Sequence, residues 1–203
     1  MRDKFQEIIS RYVPATTIDY CTYLWDTNTF SFKVSRARRS KLGDYRYNII
    51  KNRHEVSVNG NLNKYAFLIT YLHEVAHLTH FNKHKDNKSP HGTIWKKEFQ
   101  KLMSPILKPD VFPNDLLAIL IKHMQNPKAS SQSDSQLVKA LRKYDEESIQ
   151  SQEYLENISV GDRFELNGKV FKKISIRRTR AVCLEEKSRR KYLIPQIAEV
   201  TGL

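Results

Sequence analysis

The clearest chemistry in this chain lies in one short stretch, Tyr71-Leu72-His73-Glu74-Val75-Ala76-His77, which contains the pattern His-Glu-x-x-His. On a helix, residues four apart share a face and lie roughly 6 Å apart. Imidazoles at His73 and His77 can therefore close on a single zinc ion at roughly 2.0–2.1 Å per bond. Glu74 is rotated about 100° from its neighbour, yet a carboxylate there reaches a water on the metal and accepts its proton. Zinc brings the pKa of such a water to about 7. The chemistry implied is hydrolysis assisted by one Zn2+ per chain, with Glu74 as catalytic base.

Two helical histidines leave a catalytic site incomplete, because such sites normally use three protein ligands and keep the fourth position open. His80, His84, His91 and Glu98 are the candidates for the third. His80 lies about 10.5 Å along the helix axis from His73, so holding both on one ion would strain an intact helix, and His84 is further away. Both read more simply as a solvated polar stripe. His91 follows a polar loop over residues 82–89 and opens a second helix, so it can approach the ion from another direction. It is preferred to Glu98, which lies further along that helix.

The surrounding pattern supplies elements to position these groups. Phe5, Ile8, Ile9 and Tyr12 have helical spacing, and Pro14 ends that segment. Phe30, Phe32 and Val34 alternate along a strand. Leu42-Gly43-Asp44 reads as a turn before a strand over residues 45–50. Val56 and Val58 face inward from another strand, and Asn59-Gly60 is a turn signal. A long helix then runs from about residue 61 or 63 to 81, with Leu68, Leu72 and Val75 on its apolar face. Ser89-Pro90 reads as an N-cap followed by Pro at the first helical position. Trp95, Phe99, Leu102 and Met103 form the stripe of the second helix, which Pro105 stops. A further helix is expected over residues 116–124.

Three regions follow: a catalytic domain over residues 1–125, a flexible Ser/Gln/Pro-rich linker with a short helix over 126–152, and a small basic β module over 153–203. In the last region, short apolar runs are separated by turns, and Asn167-Gly168 is a strong hairpin signal.

With its second motif included, the sequence resembles a known family. His73-Glu74-Val75-Ala76-His77 is followed 14 residues later by His91-Gly92-x-x-Trp95. This is similar to the SprT-like zinc peptidases, the group that includes Spartan. Lys41-Leu42-Gly43, Val56-Ser57-Val58-Asn59 and Leu62 also resemble that family, over roughly residues 5–110. The resemblance implies an α+β, zincin-like domain with a small antiparallel sheet beside the metal helix. It implies His73, His77 and His91 as zinc ligands and Glu74 as the catalytic acid/base. It also implies a DNA-repair protease that cleaves proteins bound or crosslinked to DNA. The chain departs from many such proteins in its C-terminal region, whose single cysteine, Cys183, cannot form a Cys-rich zinc ribbon.

Charge bears on the partner. The formal net charge is +13, a field that favours polyanions without base specificity. Eight Lys/Arg and one Asp fall between Ser31 and Arg53, and ten Lys/Arg and two Glu fall between Lys169 and Lys191. Arg36, Arg38, Arg39, Lys41, Lys172, Lys173, Arg177, Arg178 and Arg180 are the candidate contacts to single- or double-stranded DNA, read without sequence specificity. Aromatic residues near both clusters could stack on bases.

Two cysteines, Cys21 and Cys183, exclude a disulfide framework and point to a reducing compartment. The charged N-terminus lacks a signal-peptide core, and no apolar run reaches the roughly 20 residues of a membrane span. A cytoplasmic protein acting on protein substrates is expected. The alternatives are a zinc peptidase without a nucleic-acid role, and a non-enzymatic DNA-binding protein braced by zinc. Glu74 counts against the latter, since a closed structural site does not need a carboxylate beside it.

Overall fold

The computed structural model describes residues 1–38, 41–84, 90–130, 133–145 and 153–203. The chain divides into two compact units, Met1–Glu146 and Glu147–Leu203.

The first unit is α+β. Its elements are α1 (Arg2–Ser10), α2 (Ile18–Asn28), β1 (Phe30–Ser35), β2 (Gly43–Asn48), β3 (Arg53–Asn59), α3 (Lys64–His84), α4 (Thr93–Met103), α5 (Asn114–Gln125) and α6 (Ser135–Arg142). The sheet order is β1-β3-β2. β2 pairs antiparallel with β3, but β1 pairs parallel with it, so the sheet is mixed rather than antiparallel. The reason is the crossing after β1, which carries the chain past β3 to the opposite edge before it turns back as a β2–β3 hairpin.

Asn59 secures that crossing. Its buried Nδ2 donates to the carbonyl oxygens of Arg38 and Lys41, and its Oδ1 accepts from Arg38 Nε at 2.8 Å. Its backbone N–H donates to Leu42 O. The segment read as a Leu42-Gly43-Asp44 turn is consequently drawn into strand pairing from Gly43 onward.

Helix α3 runs through the centre of the core. Asn63 caps it, its Oδ1 accepting from the N–H groups of Tyr65 and Ala66. Phe67, Leu68, Tyr71, Leu72, Val75 and Leu78 are sealed from solvent, consistent with a helix packed on several sides. Phe5 stacks on Trp25 at 4.8 Å and meets Phe32 edge-on, joining α1 and α2 to the sheet.

Helix α4 starts at Thr93 with Gly92 as N-cap. It does not start at Pro90, and the expected Ser89 cap lies outside the described residues. Helix α6 belongs to the first unit, although residues 126–152 read as a linker. Leu137, Ala140 and Leu141 form an i, i+3, i+4 stripe that enters the core. Asp134 caps this helix through the N–H of Leu137.

The second unit is all-β: β4 (Glu153–Tyr154), β5 (Arg163–Leu166), β6 (Lys169–Arg177), β7 (Arg180–Glu185), β8 (Lys191–Pro195) and β9 (Glu199–Gly202), in the order β4-β9-β5-β6-β7-β8. Asn167 and Gly168 both take positive φ, 53° and 73°, as the tight β5–β6 hairpin requires. Alternation along β6 sends Phe171 and Lys173 inward. No helix among the described residues is long and apolar enough to cross a membrane.

Candidate metal centre

One helical turn separates His73 from His77 on α3, and the Pro90–Gly92 turn brings His91 to the same point. Nε2 of His73 lies 3.2 Å from that of His77 and 3.4 Å from that of His91. Two nitrogens at about 2.0–2.1 Å from a tetrahedral ion lie roughly 3.3 Å apart, so the spacing suits one small cation. Ligand atoms of all three residues lie within 4.8 Å of one another. The donor set fits zinc in softness and number.

The imidazoles are held neutral, with lone pairs available. Burial, together with neighbouring His77, His91 and His123, pushes His73 well below its usual range. Burial, His91 and His80 bring His77 down to about 3, and burial lowers His91. Trp95 forms the apolar wall behind them, with its ring centroid 4.7 Å from His73, 5.3 Å from His77 and 4.8 Å from His91.

Glu74 points toward the edge of β2. Its side chain is 7% exposed and accepts a hydrogen bond from the backbone N–H of Tyr45. Burial and the nearby Asp44 push its carboxyl up to about 8, against that hydrogen bond and the opposing charges of Arg38 and Lys41. Asp44 stays low: burial alone would raise it, but Lys41 and Arg46 bind it as a carboxylate. These groups open onto a cleft of about 440 Å³, bordered by β2 on one side and by His123 and Lys128 on another.

The other third-ligand candidates lie elsewhere. Glu98 pairs with Lys83 at 2.5 Å. His84 is exposed. His80 is not solvated as expected: it is 4% exposed, and its Nδ1 has no hydrogen-bond partner among the described residues. It lies on α3, which is packed around most of its circumference.

His123 is a site residue that the sequence reading did not single out. It occupies a core-facing position on α5 with Leu116, Leu120 and Met124, and it lines the cleft. Its signal was a histidine inside an otherwise apolar helical stripe.

The proposed nucleic-acid contacts divide. Lys172, Arg177, Arg178 and Arg180 are exposed on β6, β7 and the turn between them, and Arg36 is exposed after β1. Lys173 is fully buried, with Nζ donating to Leu155 O at 2.8 Å and Ile158 O at 2.6 Å, so it cannot reach a nucleic acid in the folded unit. Arg38 turns toward Asn59 and Ser57, and Lys41 pairs with Asp44 at the cleft. Arg39 lies outside the described residues. Phe171 is buried, whereas Tyr192 is partly exposed.

Fold and site together define an α+β protein with three buried or half-buried histidines able to hold a metal beside a buried glutamate. Residues 6–114, more than half of the chain, match the SprT-like family, and the chain belongs to it. Membership points to a metallopeptidase-related function. No curated protein and no solved structure matches the chain.

Proposed function

We propose that the chain is a zinc-dependent endopeptidase of zincin-like design. The observation that carries this reading is the convergence of His73, His77 and His91 on one point, with Glu74 buried beside it. A zinc ion held by these histidines would supply Lewis acidity, polarising the scissile carbonyl, activating water near pH 7 and favouring ionised Glu74.

The chain's own residues do the remainder. Glu74 takes a proton from the attacking water and returns it to the leaving amine. Tyr45 N–H fixes the carboxylate, and the missing side chain of Gly43 leaves room for it. Strand β2 is an edge strand beside the cleft, so an extended substrate can pair with its main chain irrespective of sequence. Backbone N-methylation of a peptide substrate is expected to weaken its binding, and equal turnover would remove the strand-pairing element.

The proposed substrates are proteins bound to or crosslinked with DNA. Support comes from the +13 charge and from exposed Lys172, Arg177, Arg178 and Arg180, with partly exposed Tyr192 on the same sheet. The test is casein and self-cleavage by the zinc-loaded chain, with and without DNA, compared with Glu74→Gln. Cleavage by the wild type alone supports the peptidase reading, and stimulation by DNA supports the substrate class. Equal cleavage by Glu74→Gln would overturn the role of Glu74.

A further inference from the structure

His123 and Asp134 lie outside residues 6–114, the segment that matches the family. His123 is on α5, its side chain only 2% exposed, and its Nδ1 lies 2.8 Å from Asp134 Oδ2. Asp134 is held as a carboxylate: burial opposes this, but His123, the Leu137 N–H and Lys128 favour it. A carboxylate accepts, so the proton of this hydrogen bond sits on Nδ1. The opposite nitrogen, Nε2, makes no hydrogen bond among the described residues, and the ring lines the cleft that contains His73, His77, His91 and Glu74.

This arrangement is a histidine oriented by a carboxylate, with its second nitrogen available to a reacting group. Glu74 and the three histidines already account for water activation and metal binding. A side-chain donor to the oxygen that gains charge when the carbonyl is attacked would add to the polarisation a zinc ion supplies. We infer that His123, oriented by Asp134, is a further catalytic residue that donates a hydrogen bond from Nε2 to that oxygen.

In the step proposed, the oxygen of water bonds to the carbonyl carbon and the C=O π pair moves onto the carbonyl oxygen. The step requires a proton on each ring nitrogen: Nε2–H is donated to that oxygen, and the Asp134 carboxylate on the Nδ1 side balances the charge. Lys128 Nζ lies 3.9 Å from Asp134, His123 acts electrostatically on His73, and Lys41, Asp44, Glu74, His77 and His91 line the same cleft. As the C–N bond breaks, the C=O bond reforms and the amine takes the proton that Glu74 removed from water. His123 neither gains nor loses an atom over the cycle.

The inference rests on the peptidase reading, and its competitor is a purely structural tie between α5 and α6. Asp134→Asn separates the two, because Asn caps a helix as well as Asp does but cannot balance a charged ring. In the zinc-loaded full chain, His123→Ala is expected to lower kcat by about 10²–10³-fold, with KM and zinc content unchanged. Asp134→Asn should lower kcat at least about tenfold without lowering the melting temperature. Calorimetry with a phosphinic peptide, whose phosphinate oxygens imitate the charged intermediate, should show about 100-fold weaker binding to His123→Ala. If His123→Ala does not fold, His123→Gln carries the same expectations, since Gln can donate to Asp134 but cannot carry the charge. Wild-type kcat in the His123 variant, or full activity in Asp134→Asn, overturns this inference alone. A zinc-loaded wild type that neither cleaves peptides nor binds the phosphinate removes the peptidase reading and the role of His123 with it.

Discussion

A methyl group at Gly43 would lie 2.4 Å from Glu74 Oε1 and 2.7 Å from Glu74 Cγ. The absent side chain on the edge strand is thus the space that the carboxylate occupies. Gly43 does not take a positive φ, so the requirement is one of volume and not of backbone freedom. Gly43→Ala is expected to displace Glu74 while leaving the histidines in place. Displacing a reacting group by about 1 Å costs on the order of 100-fold, so turnover should fall by about that factor at unchanged zinc content. Hydrolysis rates and atomic absorption on the same samples check this, and wild-type turnover in Gly43→Ala would show that Glu74 tolerates the shift.

Metal content should be about one zinc per chain, and it should fall with His73→Ala, His77→Ala or His91→Ala. Because the ligands come from α3 and from the turn before α4, the ion would tie these elements together. A ligand present at 100 times its Kd stabilises by about 2.7 kcal/mol. Chelation should therefore lower the melting temperature of the first unit by roughly 5–10 °C. Full occupancy in His91→Ala, with loss in Glu98→Ala, would transfer the third-ligand role to Glu98.

Some of this site was legible in the sequence because its geometry is local. His73 and His77 are placed by helical periodicity alone, whereas the second helix, read as starting at Pro90, begins at Thr93. Gly43 was misread because Leu-Gly-Asp is good turn chemistry, and the residues that draw the segment into a strand, Asn59 and the facing strand β3, are distant in sequence. Helix α2 left little periodic signal, since Tyr20, Cys21, Tyr23, Leu24 and Trp25 spread apolar groups around its circumference. The partnership of His123 with Asp134 depends on how α5 and α6 pack, which no local pattern encodes. Lys173 was the reverse case: strict alternation with Phe171 already placed it inside, but its charge invited the opposite reading.

Glu74 should give the metal-free protein a distinctive pH dependence. Its folded carboxyl is raised to about 8 from an ordinary 4.5, chiefly by burial. The folded state therefore binds a proton that the unfolded state releases between these values. Stability is favoured below the unfolded pKa and is lost as pH rises through the folded one. Chelator-treated wild type should lose stability relative to Glu74→Gln between pH 5 and pH 8, as followed by denaturant melts. A pH-independent difference between the two proteins would mean that the carboxyl is not desolvated.

DNA binding should depend on the exposed arginines of the second unit and not on its buried lysine. Arg177, Arg178 and Arg180 lie at the β6–β7 turn and are solvent-exposed, where they can neutralise phosphates. Reversing their charges should weaken binding to single- and double-stranded DNA alike, and each lost phosphate contact should reduce the salt slope by about 0.7–0.9. Zinc content should not change. Lys173→Met should act differently, because Nζ satisfies the carbonyls of Leu155 and Ile158 inside the unit. Removing the donor leaves Ile158 O without a hydrogen-bond partner among the described residues, at about 1–3 kcal/mol, while Leu155 O keeps the N–H of Ile158 at 3.3 Å, so this variant should lower stability first and binding only through unfolding. Fluorescence-anisotropy titrations at two salt concentrations, beside thermal melts of each variant, separate the two effects. An absence of binding to either form of DNA at low salt would remove the nucleic-acid role and leave a basic zinc peptidase acting on ordinary protein substrates.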